Sequence, residues 1–460
     1  MEQYILKYLY DHSENPKGRR FIDYFKMQLD NRLYSFGMHD TENFEYRQLK
    51  HFEEIQQDKG IKALMHPHRR WRKLIERINS KSDQRKALQS LVANKIMQQC
   101  KYKVLSIFNL RKETIEELNR NGIAVYHYGQ PFFDGDVTYE SKSLEALDAF
   151  IEELRYKDFN QLLTEENYEE LDAIFRDAVE EFKATDFDAV LVWTSEAMEC
   201  KFVIDVFKEI GRPSITFQHG LPGPYRKIEE SRASYLCVWG PEVRENYLKV
   251  GFDPGHVLIA GNARYVSCPT NRQMRCGVED VLVLTSAPTA PHQHEWEWDK
   301  FSKQDRSLLV TYLYSVENVL KSVGVKRARL RPHPSVSRSW LAKYLDMDFY
   351  EIDNEDFIPS LSKATMCVGQ LSSTVLEAMQ HGVSYIVYEP SSNGIHGMNG
   401  SVLGPPFDGS DQYLRVANTE EQLSKMIQER YMPDVRLLDE YMIPFDGSVI
   451  KGVLDESLNG

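Results

Sequence analysis

The chain has 460 residues, of which 42% are hydrophobic and 27% are charged. At about 150 residues per domain, this length predicts two or three domains with a large buried core, and the composition excludes collagen-like and low-complexity architectures. The 56 basic and 69 acidic residues leave a formal charge of −13, which argues against a protein that binds nucleic acid over its whole surface.

The sequence predicts a cytoplasmic protein. No window contains the roughly 20 apolar residues that span a bilayer, and the segment from Met1 to Tyr4 lacks the basic and apolar regions of a signal peptide. Six cysteines lie far apart without a C-x-x-C pair. This spacing indicates reduced, mostly buried thiols, with no metal or disulfide framework.

Residues 1–100 are predicted to form a helical extension. Its segment 62–86 holds nine Lys or Arg against two Asp or Glu, and Trp71, Leu74 and Ile78 recur at helical spacing. The basic side chains at the centre of this segment are Arg69, Arg70, Arg72 and Lys73. Two interpretations stay open: a solvated helix face, or a patch that contacts an anionic lipid surface or a polyanionic acceptor.

From residue 101 onward, short apolar runs alternate with helical stretches. The runs that indicate strands are 104–108, 123–128, 189–193, 214–217, 235–239, 257–260, 281–284, 327–330, 366–369 and 385–388. The helical stretches are 112–121, two acidic ones within 142–184, 197–210, about 303–323, 374–381 and a helical tail at about 419–457. Strand, helix and strand within about 25 residues form a βαβ unit, which predicts parallel sheets.

The alternation restarts after a linker at 268–277, so the fold class is α/β with two doubly wound, Rossmann-like domains that face each other across a cleft. The expected boundaries are 101–268 for the first domain, 278–440 for the second and 441–460 for a C-terminal tail. The final helix is expected to pack back across both domains.

A histidine follows the predicted strand 214–217, at the edge where open parallel sheets bind ligands. His219 lies in a loop with two glycines and two prolines, which favours a rigid turn. Because an imidazole titrates near neutral pH, it suits a general base toward a hydroxyl group. The alternative is a structural histidine that caps the turn.

The predicted strand 327–330 leads into an Arg-Pro-His-Pro turn at 331–334. Pro332 and Pro334 would hold His333 rigidly at the mouth of the cleft. Three arginines alternate along one side of this strand: Arg327, Arg329 and Arg331. Fixed donors and positive charge suit a phosphate or a departing phosphate, and the alternative is a proline-bounded turn with surface arginines.

The predicted strand 366–369 ends in a glycine, and three hydroxyl residues then lead into a helix. These residues are Ser372, Ser373 and Thr374. Hydroxyl side chains are good N-caps, and the free N–H groups of a helix N-terminus favour an anion. Glu377, three residues after Thr374, is expected to complete a capping box. The alternative is a cap without a ligand.

Three further patterns carry less weight. The run 292–297 contains two histidines but lacks the H-E-x-x-H spacing, so we expect no metal site. Glu196 is a candidate nucleophile or acid/base group, or simply a helix-start carboxylate, and 134–136 is typical of a turn. The absence of G-x-G-x-x-G and P-loop motifs disfavours dehydrogenases and NTPases.

In this order the three motifs resemble those of bacterial GT-B glycosyltransferases that build surface polysaccharides. His333-Pro334 and residues 372–374 are similar to the His-Pro and Ser-Ser/Thr motifs of the CMP-sugar transferases of sialyl and Kdo type. Those enzymes carry two acids and a glycine at the first motif, where this chain has Gln218-His219-Gly220. A His-Gly pair there is more similar to the glycerophosphotransferases of teichoic acid synthesis, in which the histidine is the base.

The resemblance implies a metal-independent glycosyltransferase without a cofactor other than its nucleotide-sugar donor. A CMP-linked ulosonic acid, such as sialic acid or Kdo, would pass to a hydroxyl of a growing capsule or lipopolysaccharide glycan. His219 would be the base, and the nucleotide would contact Arg331, His333, Pro334, Ser372, Ser373, Thr374 and Glu377. Glu196 would be the nucleophile of a retaining transfer. The first domain would bind a glycan or glycolipid acceptor, and segment 62–86 would contact the inner membrane.

Three alternatives stay open at this point. A nucleotide-sugar 2-epimerase of the UDP-GlcNAc type would convert its substrate without an acceptor, and a CDP-polyol phosphotransferase would transfer a phosphopolyol. A catalytically silent GT-B scaffold in a polysaccharide assembly complex would bind no nucleotide.

Overall fold

A computed structural model describes residues 9–10, 13–26, 29, 98–129, 137–154, 157, 159–195, 197–222, 225, 232–267, 273–286, 306–333, 336, 338–391, 397–398 and 402–459. These residues form two parallel β-sheets of seven and six strands, each packed between layers of helices. The predicted fold class, α/β with two doubly wound domains, is confirmed.

The first sheet has the strand order β3-β2-β1-β4-β5-β6-β7. Its strands are β1 Tyr102–Ser106, β2 Ile123–Tyr128, β3 Thr138–Tyr139, β4 Ala189–Val192, β5 Ser214–Phe217, β6 Tyr235–Val238 and β7 Val257–Ile259. The central strands are continuous apolar runs, as expected where helices cover both faces of a parallel sheet. The order reverses between β1 and β4, so the ends of these two strands flank a crevice of the kind that binds ligands.

Helices cover both faces of this sheet. They are α1 Pro16–Tyr24, α2 Lys112–Arg120, α3 Lys142–Leu154, α4 Phe159–Leu162, α5 Glu165–Lys183, α6 Met198–Glu209 and α7 Pro241–Lys249. Successive residues of β1 enter different cores: Leu105 packs with side chains of α3, α5 and α6, whereas Val104 packs with Leu118 of α2.

The second sheet has the strand order β10-β9-β8-β11-β12-β13. Its strands are β8 Val281–Leu284, β9 Ala328–Arg331, β10 Tyr350–Ile352, β11 Met366–Gly369, β12 Ser384–Tyr388 and β13 Val416–Ala417. Its helices are α8 Arg306–Ser322, α9 Arg338–Leu341, α10 Phe357–Lys363, α11 Thr374–Gln380, α12 Glu420–Gln428 and α13 Arg436–Tyr441, and the last helix of the chain is α14 Gly447–Asn459. Here the order reverses between β8 and β11, which places the second ligand crevice at the ends of those strands.

The end of the chain returns to the first domain. Helix α13 packs on α7, and Phe445 and Leu454 enter the apolar core around β1 and α2. The return path runs so close to the first sheet that a methyl group on Gly261 Cα would lie 2.1 Å from the Pro444 carbonyl oxygen. Helix α14 therefore belongs to the core of the first domain.

Gly261→Ala is expected to destabilise the protein by more than about 3 kcal/mol. Its φ of +77° is left-handed, which costs a side chain about 1–3 kcal/mol, and the methyl group would also displace the returning backbone. Gly211→Ala is the matched control, because Gly211 has a φ of +72° and no atom within 4 Å of the added methyl group. Urea unfolding of both variants measures the difference, and equal losses would contradict the role of the close approach.

The described part of the N-terminal extension belongs to the first domain. Phe21, Phe25 and Leu29 lie in the same apolar cluster as Phe150 of α3 and Phe202 of α6. The basic segment 62–86 lies outside the described residues, so its predicted membrane contact stays a prediction. Within the described ranges, every helix is too short or too polar to span a lipid bilayer.

Candidate active site

Hydrogen bonds hold the backbone at the start of the loop after β5, which carries His219. The side chain of Gln218 is buried and its amide bridges two strands: Nε2 donates to the Gly220 carbonyl at 2.9 Å, and Oε1 accepts from the Trp239 backbone N–H at 2.7 Å. The indole Nε1 of Trp239 donates to the Gln218 carbonyl at 3.0 Å. These bonds fix the backbone on both sides of His219, whose imidazole remains exposed to solvent.

Two neighbours set the environment of His219. The ring of Trp193, which follows β4, lies edge-on to the imidazole with a centroid distance of 4.9 Å. Partial removal from water lowers the pKa of His219, and the positive charge of Arg264 lowers it further. The imidazole is therefore neutral at neutral pH, which is the form that accepts a proton.

Arg264 lies in the turn after β7, which several hydrogen bonds hold in place. Its backbone N–H donates to Oδ1 of the buried Asn262 at 2.9 Å, and its carbonyl accepts from Arg111 Nη1 at 3.1 Å. The Arg111 guanidinium also lies over the Tyr265 ring, 5.2 Å from its centroid. Arg264 is not among the residues predicted for the site. Its place directly after a strand of the first sheet is the sequence feature that could have identified it.

In the second domain, three strand ends are tied together. The backbone N–H of His333, after β9, donates to Thr285 Oγ1 at 2.9 Å, and Thr285 directly follows β8. Ser286 donates through its backbone N–H and its hydroxyl to Oε1 of Gln370, which follows β11. The turns that carry His333 and the serines are thus joined at the crevice between β8 and β11.

The turn formed by Ser372, Ser373 and Thr374, here called the hydroxyl turn, begins α11 in a way that differs from the prediction. The predicted capping box, with Thr374 as N-cap and Glu377 as its partner, is wrong. The N-cap is Ser373. The Thr374 backbone N–H donates instead to Ser372 Oγ, at 3.3 Å. Ser372 Oγ and Thr374 Oγ1 also share a hydrogen bond. Because Ser372 satisfies this backbone donor, Glu377 is released for another partner.

The two domains meet at these turns. A methyl group on Gly220 Cα would lie 3.6 Å from Ser373 Oγ, so the loop that carries His219 faces the hydroxyl turn across the cleft. Nearby, Arg264 Nη1 lies 3.7 Å from Glu377 Oε1, so the partner of Glu377 belongs to the first domain. The structure therefore brings His219, Ser373 and Glu377 to one place.

Arg331 has a different environment from the one expected of a phosphate ligand. Its Nη1 donates to Asp353 Oδ2 at 3.1 Å and to the Glu355 carbonyl at 2.6 Å. Arg329 on the same side of β9 donates to Asp280 Oδ1 at 2.7 Å. These carboxylates neutralise both guanidinium groups. The nucleotide contact of Arg331 stays a prediction, and its observed contacts favour a role in positioning the turn that carries His333.

Several predicted site residues lie outside the described residues. These are Glu196, Pro334, Arg69, Arg70, Arg72 and Lys73, together with the runs 134–136 and 292–297. In the part of the chain that the structure describes, no three His, Cys, Asp or Glu side chains are grouped as metal ligands. The prediction of metal-independent chemistry stays a prediction.

No protein-family model and no curated protein matches this chain. Among solved structures, it is similar to the UDP-GlcNAc 2-epimerase from Neisseria meningitidis bound to UDP-GlcNAc, with 14% identity, 78% of this chain and 100% of that chain covered, and a TM-score of 0.42. The wall teichoic acid polymerase TagF matches at 12% identity over 89% of this chain and 98% of that chain, with a TM-score of 0.39. The lipopolysaccharide outer core galactosyltransferase WaaB matches at 11% over 77% and 95%, with a TM-score of 0.37.

Proposed function

We propose that the protein is a metal-independent glycosyltransferase that moves a sugar from a nucleotide-activated donor to an acceptor hydroxyl. The observation that carries the proposal is the approach of the loop around His219 to the turn at 372–374 across the cleft. Since both turns follow strands at the ligand-binding edges of their sheets, an acceptor on the first domain and a donor on the second would meet there.

His219 is the general base of the proposed reaction. Its neutral imidazole accepts the proton of the acceptor hydroxyl as that oxygen bonds to the anomeric carbon of the donor. The bond between the anomeric carbon and the phosphate oxygen breaks, and the electron pair leaves with the nucleotide. The ring of Trp193 lies against the imidazole, with a centroid distance of 4.9 Å.

The departing phosphate would lie between the second-domain turns and Arg264. The hydroxyls of Ser372, Ser373 and Thr374 are donors, His333 is held beside them through Thr285, and Arg264 supplies positive charge from the first domain. Fixed donors of this kind stabilise developing negative charge without solvent reorganisation. In the proposed complex, Glu377 no longer contacts Arg264 and instead accepts a hydrogen bond from a hydroxyl of the nucleotide sugar.

The identities that we propose for the donor and the acceptor rest on the sequence motifs. The His-Pro and Ser-Ser-Thr motifs support a CMP-linked ulosonic acid as donor, and the acceptor we propose is a capsule or lipopolysaccharide glycan. Segment 62–86 would hold the enzyme at the inner membrane, where glycolipid acceptors lie.

A nucleotide-sugar 2-epimerase is the second candidate. The specific observation in its favour is that a carboxylate and an imidazole belong to the two sides of the cleft: Glu377 on the second domain, 3.7 Å from Arg264, and His219 on the first. Epimerisation needs acid and base groups on both sides of one sugar but no acceptor. Release of an epimer from the nucleotide sugar alone would identify this activity.

The first experiment is a thermal-shift titration with CMP, CDP, UDP and GDP, with and without EDTA. A nucleotide at 100 times its Kd stabilises the protein by about 2.7 kcal/mol. We expect a shift with CMP that EDTA leaves unchanged. CDP alone would favour the phosphotransferase, and UDP alone would favour a hexosyltransferase or the epimerase.

Variants locate the nucleotide. Ser372→Ala combined with Ser373→Ala is expected to weaken nucleotide binding at least 10-fold, because charge-assisted hydrogen bonds to the phosphate are lost. Ser362→Ala is the matched control, since the Ser362 hydroxyl is exposed and bonds only within α10. Equal shifts in all variants would contradict the proposed site, and no shift with any nucleotide would favour the scaffold.

A further inference from the structure

Trp193 is a large aromatic side chain left open at a place where open sheets bind ligands. It directly follows β4, at the crevice between β1 and β4 where the strand order of the first sheet reverses. Trp193 is 37% exposed, although Val192 beside it is fully buried. An exposed indole at such a crevice is apolar surface that a ligand can cover.

A buried hydrogen bond to β5 holds the turn that carries Trp193. Ser195 Oγ lies 3.1 Å from Thr216 Oγ1 of β5, and both side chains are buried. On one side the indole contacts the His219 ring at a centroid distance of 4.9 Å. A group resting on the indole therefore lies beside the imidazole.

Charged residues of opposite sign follow strands on the two sides of β5, the strand that leads to His219. Toward the second domain lies Arg264, close enough for its positive charge to lower the pKa of His219. Toward β1 and β2 in the strand order, Glu199 lies in the first turn of α6, which follows β4, and Asp148 of α3 accepts a hydrogen bond from Tyr128 Oη, at the end of β2, at 2.8 Å. Partial removal from water raises the pKa of Glu199, and the negative charge of Asp148 raises it further.

We propose that Trp193 is the stacking platform for the acceptor sugar, and that the sugar bound there is uncharged. This inference rests on the proposed function and adds the acceptor subsite to it. The weakly positive C–H face of a pyranose suits the negative face of an indole. Hydroxyls of the sugar donate to carboxylates such as Glu199, whereas an acidic sugar is repelled by them. The stacked sugar presents a hydroxyl to His219.

Fluorine NMR tests the platform directly. The chain has six tryptophans, and in protein labelled with 5-fluorotryptophan the resonance of Trp193 is the one missing from Trp193→Phe. Methyl β-galactoside and methyl β-galacturonide are a matched pair of probes that differ only by a carboxylate. We expect the galactoside to shift the Trp193 resonance in a saturable way and the galacturonide to leave it unchanged at equal concentration.

Two variants sharpen the assignment. Trp193→Leu is expected to raise the acceptor KM at least 10-fold and to leave the Kd for the donor nucleotide unchanged, with Trp193→Phe intermediate. Glu199→Gln is expected to let the galacturonide shift the Trp193 resonance, because one repelling charge is gone. Circular dichroism of each variant establishes that it is folded.

The outcomes separate this inference from the proposed function. A saturable shift with the galactoside in His219→Ala protein that transfers no sugar supports the platform even if the proposed reaction is wrong. Normal transfer with no galactoside-induced shift at Trp193, or an equal shift with both probes, overturns the inference and leaves the proposed reaction standing. A nucleotide Kd that changes as much as the acceptor KM in Trp193→Leu also overturns it.

Discussion

Replacing His219 with alanine is expected to lower kcat by about 10²–10⁴-fold and to leave nucleotide affinity almost unchanged. The imidazole belongs to the first domain, which carries the proposed acceptor site, whereas the proposed nucleotide contacts lie on the second domain. Steady-state kinetics and a nucleotide titration of the same preparation measure the two effects. His256→Ala is the control, since it removes another imidazole of the first domain, one that lies near Phe252 and has no role in the proposed reaction.

The pH profile identifies the base independently. The pKa of His219 is lowered by removal from water and by Arg264, so the rate is expected to rise with pH and to level off above a midpoint below the ordinary histidine value of about 6.5. Arg264→Gln removes one cause of the shift and should move that midpoint to higher pH. His333→Ala should lower both kcat and nucleotide affinity. Equal small effects of His219→Ala and His333→Ala would contradict this division of roles.

The central strands of both sheets are predictable from sequence because they are buried on both faces. The runs at 123–128, 214–217, 281–284 and 366–369 match the observed strands in both bounds. The sequence analysis missed β3, β10 and β13, which are two or three residues long and lie at sheet edges. An edge strand is half solvated and carries no continuous apolar run, so its pairing is decided by the neighbouring strand.

The site is predictable one sheet at a time. Strand ends mark the ligand edge of a parallel sheet, and this rule found His219, His333 and the turn at 372–374. It could not find the pairing of Arg264 with Glu377, because two residues 113 positions apart in different domains meet only through the packing of those domains. The neighbouring sequence alone predicts a capping box for Glu377, because the position of Arg264 in the other domain cannot be read from it. In the structure, Glu377 lies near Arg264 instead.

The buried charges that anchor α1 give the second large expected effect. Lys201 of α6 is 1% exposed, and its Nζ donates to the Asp23 carbonyl at 3.0 Å and lies 3.4 Å from Asp23 Oδ1. Arg232 Nη2 bonds Asp23 Oδ2 at 2.6 Å and Asp205 Oδ2 at 2.8 Å, and Tyr24 Oη donates to the same Asp205 oxygen at 2.7 Å. Each buried cation thus depends on Asp23 for part of its compensation.

Asp23→Ala is expected to destabilise the first domain by about 3–5 kcal/mol, because it removes the carboxylate that compensates part of the positive charge of Lys201 and Arg232. Hydrogen exchange followed by mass spectrometry should show faster exchange in 16–24 and 198–209, with 281–284 and 366–369 unchanged. Lys17→Ala is the control: Lys17 pairs with Glu169 on the surface, where an ion pair contributes little. Unchanged exchange in 16–24 would contradict the anchoring role.

Acid provides a second readout of the same anchor. Burial alone would raise the pKa of Asp23, but the charges of Arg232 and Lys201 outweigh it and leave the pKa below the ordinary value. A carboxyl whose folded pKa is depressed stabilises the protein fully above its unfolded pKa of about 3.9, and this contribution is lost as the pH falls through the folded value. Asp23→Asn cannot titrate, so its urea midpoint should fall less than that of the parent protein as the pH is lowered through this range. Parallel midpoints for both proteins would show that Asp23 does not carry the effect.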